Sequence, residues 1–134
     1  MQTFSFRLRP GQDLGDSIDA WVKEQKLEAG CVLCAVGSLT HATIRLADRQ
    51  LPSEYEGPFE IVSLIGTLSL HGSHLHIAIS DRNGITIGGH LLSGCTIYTT
   101  AEIVIADFPQ QVYRREFSSD SGFEELVVSP RETP

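Results

Sequence analysis

Positively charged residues are scarce in this sequence. The 10 lysines and arginines stand against 17 aspartates and glutamates, which gives a formal net charge of −7. Affinity for nucleic acid comes mainly from the counterions released when Lys and Arg neutralise phosphates, so this balance argues against nonspecific DNA binding. Arg114 and Arg115 form the one adjacent basic pair, and a solvated strand face explains them more simply.

Long apolar runs are also missing, since no stretch approaches the 18 residues that predict a membrane-spanning helix. The N-terminal segment MQTFSFRLRPG has no apolar region behind its first charges, so we expect no signal peptide. Cysteine is sparse, and an odd count of three favours a reducing compartment over a disulfide framework. These features predict a cytoplasmic protein without a membrane partner.

Two of the cysteines, Cys31 and Cys34, match a CxxC spacing. They lie in the strand-like run CVLCAVGSL, where residues three apart point to opposite faces of a sheet. This geometry disfavours a dithiol or a zinc ribbon. We interpret both residues as small buried hydrophobes.

The length of 134 residues predicts one domain that folds without disulfides or a structural metal. No repeat or low-complexity linker divides the sequence. We expect the domain to cover residues 1–130. Residues 131–134 are predicted to form a disordered tail.

One segment, 13–27, has helical periodicity, with Asp13 as a plausible N-cap and Gly30 beyond the C-terminus. Its apolar stripe consists of Leu14, Ile18, Trp21 and Val22. The stripe is narrow and suits packing on one face of a sheet. A cofactor role for Trp21 is the weaker interpretation.

The other periodic segments predict β-strands, and the polar stretch 48–58, with its two prolines, predicts a loop. The expected strands are 3–8, 31–39, 42–47, 59–70, a hairpin centred on 82–84, 95–106, 112–117 and 123–129. Most connections are too short for parallel crossovers. The fold class is therefore α+β, a mainly antiparallel sheet with one amphipathic helix packed on it.

The hairpin can form in two registers. Apolar residues alternate on both sides of its turn; they are Leu75, Ile77, Ile79, Ile85, Ile87 and Leu91. A two-residue turn would pair Arg82 with Ile85 and mix polar with apolar residues on both faces. A three-residue loop, with Gly84 at positive φ, separates them. We therefore predict the second register, in which Ile79 faces Ile87.

Three histidines share the polar face in this register. His76 lies opposite His90, and His74 lies one pleat away, about 7 Å at the Cα atoms. Three imidazoles on a face of otherwise small residues can converge on one ion. Histidines satisfied by ordinary hydrogen bonds are the alternative. We assign neither His71 nor His41 to the site.

The sequence resembles the PPC domain, the plants-and-prokaryotes conserved domain, over residues 3–128. The resemblance rests on GPFEIVSLIGTLS, then HLH at 74–76, then GGHL at 88–91, behind an opening strand and an amphipathic helix. It implies a compact α+β fold, assembly as a homotrimer and a metal site at His74, His76 and His90. Free-standing prokaryotic members are often labelled DNA-binding, and plant relatives join the domain to basic AT-hooks. The printed sequence contains no AT-hook.

Three hypotheses of function follow. The first is a metal-dependent hydrolase or lyase, in which three histidines leave a fourth zinc position for water or substrate. The resemblance places Glu60 near the hairpin, and we consider it the candidate general base, although a salt-bridged or edge glutamate is an equal alternative. The second is a trimeric module that binds a small-molecule ligand or a protein without turnover. The third, DNA binding, is disfavoured by the acidic charge.

Several divalent ions suit imidazole ligands, including zinc, nickel, copper and iron. Availability and a count of three ligands plus one open position favour zinc as the cofactor.

Overall fold

The computed structural model of the protein describes residues 1–132, within which the chain forms one helix and eight strands. In order they are β1 (Gln2–Leu8), α1 (Leu14–Gln25), β2 (Gly30–Arg45), β3 (Ser53–Leu68), β4 (His74–Ser80), β5 (Thr86–Leu91), β6 (Thr96–Asp107), β7 (Gln111–Ser118) and β8 (Phe123–Pro130). The prediction of a single main helix is confirmed.

Six strands form one sheet in the order β1-β6-β2-β3-β4-β5, and β7 pairs with β8 in a second sheet. Every pairing is antiparallel. The predicted α+β class with a mainly antiparallel sheet is therefore confirmed. The end of β2 also pairs with β5, through Ile44 with Leu91 and Arg45 with His90, so the sheet curls back on itself at this corner.

Helix α1 closes one side of the core. Leu14, Ile18 and Val22 are at most 2% exposed and join the buried residues of the six-stranded sheet in one apolar cluster. Asp13 is the N-cap, as predicted, and its Oδ1 accepts the N–H of Asp16 at 2.9 Å. The opposite carboxylate oxygen of Asp13 accepts two N–H groups from the β5–β6 connection, at 2.7 and 3.0 Å. One side chain thus caps the helix and fixes it to the sheet.

The end of the helix differs from the prediction. The C-cap is Lys26, which has a left-handed φ of 54°. Its backbone N–H donates to Lys23 O and closes the last turn. Gly30 lies beyond the C-terminus, as predicted, and opens strand β2. Helix α1 ends at Gln25, five residues before Gly30 and two before the predicted end at residue 27.

Two predicted strand boundaries are wrong. The expected strands 31–39 and 42–47 form one strand, β2, with a register shift between Leu39 and His41. Strand β3 starts at Ser53, inside the predicted loop. Pro58 is accommodated because it lies at the irregularity between the pairs Leu39–Phe59 and His41–Glu56, where a ladder hydrogen bond from its nitrogen is not needed.

The interpretation of the paired cysteines needs a correction. Cys31 is half-buried, but Cys34 is exposed, and Cys95 is the buried cysteine. A register shift in the β2–β6 pairing falls between Val32 and Cys34 and breaks the alternation on which the expectation rested. All three thiols are free.

The described part of the C-terminus ends at Glu132. Arg131 donates its backbone N–H to Gln110 O, and its guanidinium lies 3.2 Å from the Glu28 carboxylate. Thr133 and Pro134 lie outside the described residues. The predicted tail and the domain limit at residue 130 stay predictions.

Candidate metal centre

The β4–β5 hairpin has the three-residue register. His76 pairs with His90 and Ile79 pairs with Ile87, as predicted. Gly84 takes the positive φ that the loop needs, 77°. Asp81 stabilises the loop, because its Oδ1 accepts the N–H groups of Asn83 and Ile85 at 2.8 and 3.0 Å. This local geometry decides which side chains share a face.

Alternation along β4 places its histidines outside the core. Leu75, Ile77 and Ile79 are 6%, 2% and 0% exposed and belong to the apolar cluster, so His74 and His76 project to the opposite side. Both are exposed, and His90 on β5 is half-buried. The apolar residues of the hairpin therefore stabilise a scaffold whose outer side carries the imidazoles.

The three imidazoles converge. One ligand nitrogen from each of His74, His76 and His90 lies within 4.8 Å of the other two. Their ring centroids are 4.9 Å (His74 to His76), 5.1 Å (His74 to His90) and 5.9 Å (His76 to His90) apart. The sequence-predicted set of three histidines is thus brought together, and the arrangement is compatible with one ion of about 2 Å metal–nitrogen bonds after small rotations of the exposed rings.

A second observation fits a cation at this position. The Nδ1 atom of His90 is buried and has no hydrogen-bond partner in the described part of the chain. A buried polar nitrogen without a partner costs free energy, and coordination to an ion is one way to remove that cost.

The surroundings of His74 and His90 favour the neutral form of these two imidazoles. Burial lowers the pKa of His90 below its ordinary value, and the charge of Arg45 lowers it further. Burial also lowers the pKa of His74, assisted by His76 and Arg115 and opposed by Glu125. Neutral imidazole is the form that binds a metal, so these shifts favour coordination at neutral pH.

An open cleft of about 820 Å³ lies over the histidines. Its walls come from the hairpin, from the β2–β3 connection and from the tip of β8; the residues are Arg45, Leu46, Ala47, Asp48, Arg49, Gln50, His74, His76, Gly88, Gly89, His90 and Phe123. Gly89 lets β5 approach β2 closely, since a Cβ at this position would lie 2.5 Å from Arg45 O. The cleft has room for a small molecule beside the imidazoles.

Glu60, the sequence candidate for a general base, does not lie at the cluster. It is exposed on β3 and pairs with Ser80 at the far end of β4. Ser80 is four residues from His76, about 13 Å along the strand. Within one chain, Glu60 is therefore too far away to share a ligand with the histidines.

The other two histidines are separate from the cluster. His41 lies on β2, where its Nε2 is 3.7 Å from Glu56 Oε1. His71 is exposed in the β3–β4 connection and donates its backbone N–H to Ser69 Oγ at 2.9 Å. Sequence reasoning left both out of the site, and neither belongs to the three-histidine group.

The cleft also contains residues that the sequence did not indicate, chiefly Arg45 and Arg49. Arg45 reaches the histidines because β2 pairs with β5 directly at His90. No local sequence pattern predicts a pairing between residues more than forty positions apart.

A small antiparallel α+β domain with three outward histidines is thus the class of protein that the fold and the site define. The chain belongs to the Plants and Prokaryotes Conserved (PCC) domain family, whose model matches residues 1–109. The resemblance found in the sequence is confirmed.

The chain is also similar to part of a longer bacterial protein. The bifunctional protein GlmU of Synechococcus sp. (strain JA-2-3B'a(2-13)) is 45% identical over 130 residues, covering 97% of this chain and 21% of that protein. The chain therefore spans about a fifth of the length of this relative.

Solved structures agree with the fold. A hypothetical protein from Salmonella enterica has a TM-score of 0.96 and 39% identity, with 98% of this chain and 95% of that one covered. A metal-containing protein from Archaeoglobus fulgidus has a TM-score of 0.82 and 25% identity, with 95% and 94% covered.

Within residues 1–132 no helix has the length and apolar character to cross a membrane.

Proposed function

We propose that this PCC-domain protein binds one divalent metal ion, preferentially Zn²⁺, through His74, His76 and His90. The observation that carries the proposal is the convergence of three ligand nitrogens within 4.8 Å on the outward side of the β4–β5 hairpin. The description of the Archaeoglobus fulgidus neighbour as metal-containing supports it. Three imidazole ligands and an open fourth position suit zinc, which is also readily available.

A zinc ion held in this way supplies a Lewis acid with one position for water or substrate, the arrangement of catalytic zinc sites. The protein's own contribution is the cleft, whose small residues Gly88 and Gly89 leave space beside the imidazoles. We infer a metal-dependent enzyme of hydrolase or lyase type as the first function to test.

A ligand-binding module without turnover is the second candidate, and a specific observation favours it. Glu60, proposed as the base, lies about 13 Å along the sheet from His76. An enzyme would need another proton acceptor, and Asp48 is the one carboxylate among the residues of the cleft. The same metal would then hold a small molecule that is bound and released unchanged.

Assembly as a homotrimer is part of the proposal. Large apolar side chains are 47–58% exposed on the three adjacent strands β6, β2 and β3; they are Leu33, Val36, Val62, Ile65 and Tyr98. Ile65 pairs directly with His76, so this apolar surface adjoins the histidines. Burial of such a surface between copies of the chain would stabilise an oligomer. Light scattering should return three times the chain mass of 14.7 kDa, and a monomer would contradict it.

Duplex DNA is the least supported ligand. The guanidinium of Arg114 donates to Ser129 Oγ at 3.1 Å, and that of Arg115 donates to Thr67 Oγ1 at 2.9 Å, so the one basic pair is engaged within the chain. With a net charge of −7, we expect no mobility shift of duplex DNA at physiological salt. A salt-resistant, sequence-selective shift would contradict this expectation.

The direct test of metal binding is a titration. Protein stripped with a chelator is titrated with ZnCl₂ at pH 7.5, and the bound zinc is measured by elemental analysis after gel filtration. We expect one zinc per chain at micromolar concentration. Protein that stays metal-free under these conditions would contradict the proposal.

A further inference from the structure

Two arginines line the cleft over the histidines. Arg45, the last residue of β2, pairs with His90, and Arg49 follows in the β2–β3 connection. Neither forms an ion pair with a carboxylate of residues 1–132, where the ion pairs are His41 with Glu56 and Arg131 with Glu28. Both residues are exposed, and a guanidinium group carries five N–H donors for a ligand.

Arg45 is close enough to act on anything bound at the cluster. Directly opposed residues in an antiparallel pair share a face, with Cβ atoms about 4.5–5.5 Å apart. Arg45 also lines the same cleft as His74, His76 and His90. Its positive charge therefore lies beside the imidazoles.

The acidic residue of the cleft does not cancel this charge. Among the residues that line the cleft, Arg45 and Arg49 are the cations and Asp48 is the one carboxylate, and the proposed ion adds two further positive charges. Asp16 and Asp19 line a separate pocket that His90 also borders. The lining of the cleft is thus positive in a chain whose net charge is −7. Such a local reversal of sign attracts anions.

We propose that the cleft binds a small oxyanion, a carboxylate or phosphate group, with one oxygen at the open position of the ion and another bound by Arg45. Arg49 supplies a second positive charge from the facing wall. The inference rests on the proposed metal function and names the chemical class of its ligand.

Guanidinium suits this task better than ammonium would. Its planar fork of donors matches the two oxygens of a carboxylate or phosphate, and such charged hydrogen bonds are stronger than neutral ones. A cavity of about 820 Å³ also accommodates an organic molecule attached to the anionic group.

The experiment uses the full chain loaded with Co²⁺, whose visible absorption spectrum reports changes in the ligands of the ion. Acetate and inorganic phosphate are titrated separately at constant ionic strength. We expect a saturable spectral change with at least one of them. Arg45→Ala should weaken the binding about tenfold, the effect of losing one charged hydrogen bond.

Arg82→Ala is the matched control. Arg82 is an exposed arginine in the hairpin loop, and it does not line the cleft. The control removes the same charge from the chain and should bind the anion as the unmodified protein does. Arg45→Lys retains the charge without the planar fork, so it should show an intermediate loss and covers the case in which Arg45→Ala does not fold.

The outcomes separate the two proposals. If cobalt or zinc binds and neither anion changes the spectrum, the oxyanion inference is wrong and the metal site remains. Equal anion affinity in Arg45→Ala, Arg82→Ala and the unmodified protein would also overturn the inference. If no metal binds, both proposals fail. A response to acetate alone identifies a carboxylate ligand, and a response to phosphate alone identifies a phosphate ligand.

Discussion

The two sides of the β4–β5 hairpin differ sharply although they alternate residue by residue. On one side Ile77 and Ile79 are 2% and 0% exposed, within the apolar core. On the other, His74 and His76 are exposed and converge with His90. The core side keeps the backbone in one register, and that register is what aligns the imidazoles. Stability and the candidate chemistry thus depend on different residues of the same two strands.

The largest expected effect comes from the core side. Ile77→Ala removes a buried side chain of the cluster, so the free energy of unfolding should fall by about 2–5 kcal/mol. Urea denaturation measures this loss. Ile85→Ala, in the same hairpin but 62% exposed, is the control and should change stability by less than about 0.5 kcal/mol. Equal effects of the two variants would contradict the division between the two sides.

The histidine side should respond in the opposite manner. His90→Ala removes one of three proposed ligands, and we expect zinc affinity to fall at least about a hundredfold, more than the usual effect of losing an outer-shell partner. Stability without metal should change by less than about 1 kcal/mol, since His90 Nδ1 has no partner to lose. His71→Ala is the matched control, because His71 is exposed outside the cluster. Loss of zinc binding in His71→Ala alone would refute the assigned ligands.

Acidification should lower both the stability of the fold and the affinity for zinc. The pKa values of His74 and His90 are lowered from 6.5, first by burial, so the unfolded chain takes up protons before the folded chain as the pH falls. Their contribution to stability is present above pH 6.5 and is lost as the pH falls through the lowered values. Zinc competes with protons for the same nitrogens, so occupancy should also decline below pH 6.5.

Zinc affinity and urea midpoints measured between pH 7.5 and 5 check this pH dependence. Arg45→Ala removes a charge that lowers the pKa of His90, so zinc should be lost at a slightly higher pH in this variant. Zinc occupancy that increased on acidification would be inconsistent with imidazole ligands.

The smallest effect concerns the loop that sets the register. Gly84 has φ 77° and open space around its Cα, so Gly84→Ala introduces backbone strain of about 1 kcal/mol without a clash. Gly11→Ala is a matched control, with φ 87° and equally open space in the β1–α1 connection. Both variants should lose similar stability by urea denaturation. We expect a loss of zinc affinity of a few-fold in Gly84→Ala alone, and equal affinities would show that the loop does not control the imidazoles.

Local sequence was sufficient to predict the hairpin and its histidines. The alternation of Leu75, Ile77 and Ile79 with polar neighbours, together with Gly84 in the turn, permits only one register that separates apolar from polar residues. Helix α1 and its cap at Asp13 follow from equally local signals. The motifs of the hairpin and of β3 also sufficed for the family resemblance.

Pairings between distant strands could not be read in this way. The predicted break in β2 was wrong, and the predicted loop 48–58 extends too far, since β3 begins at Ser53. An irregularity beside Pro58 lets β2 and β3 continue their pairing across both positions. Glu60 was expected near the hairpin as a candidate base, and it does pair with the hairpin, but the β3–β4 register places it opposite Ser80, at the end of β4 far from the histidines.

The sequence by itself determined which histidines share a face, since residues within a hairpin are neighbours along the chain and a period of two fixes their direction. Only the tertiary structure decided what surrounds them. Arg45 reaches His90 because the sheet curls until β2 meets β5, and Arg49 follows it into the cleft. Such a contact depends on the twist and closure of the whole sheet, a property of six strands packed on a common core that no single segment encodes.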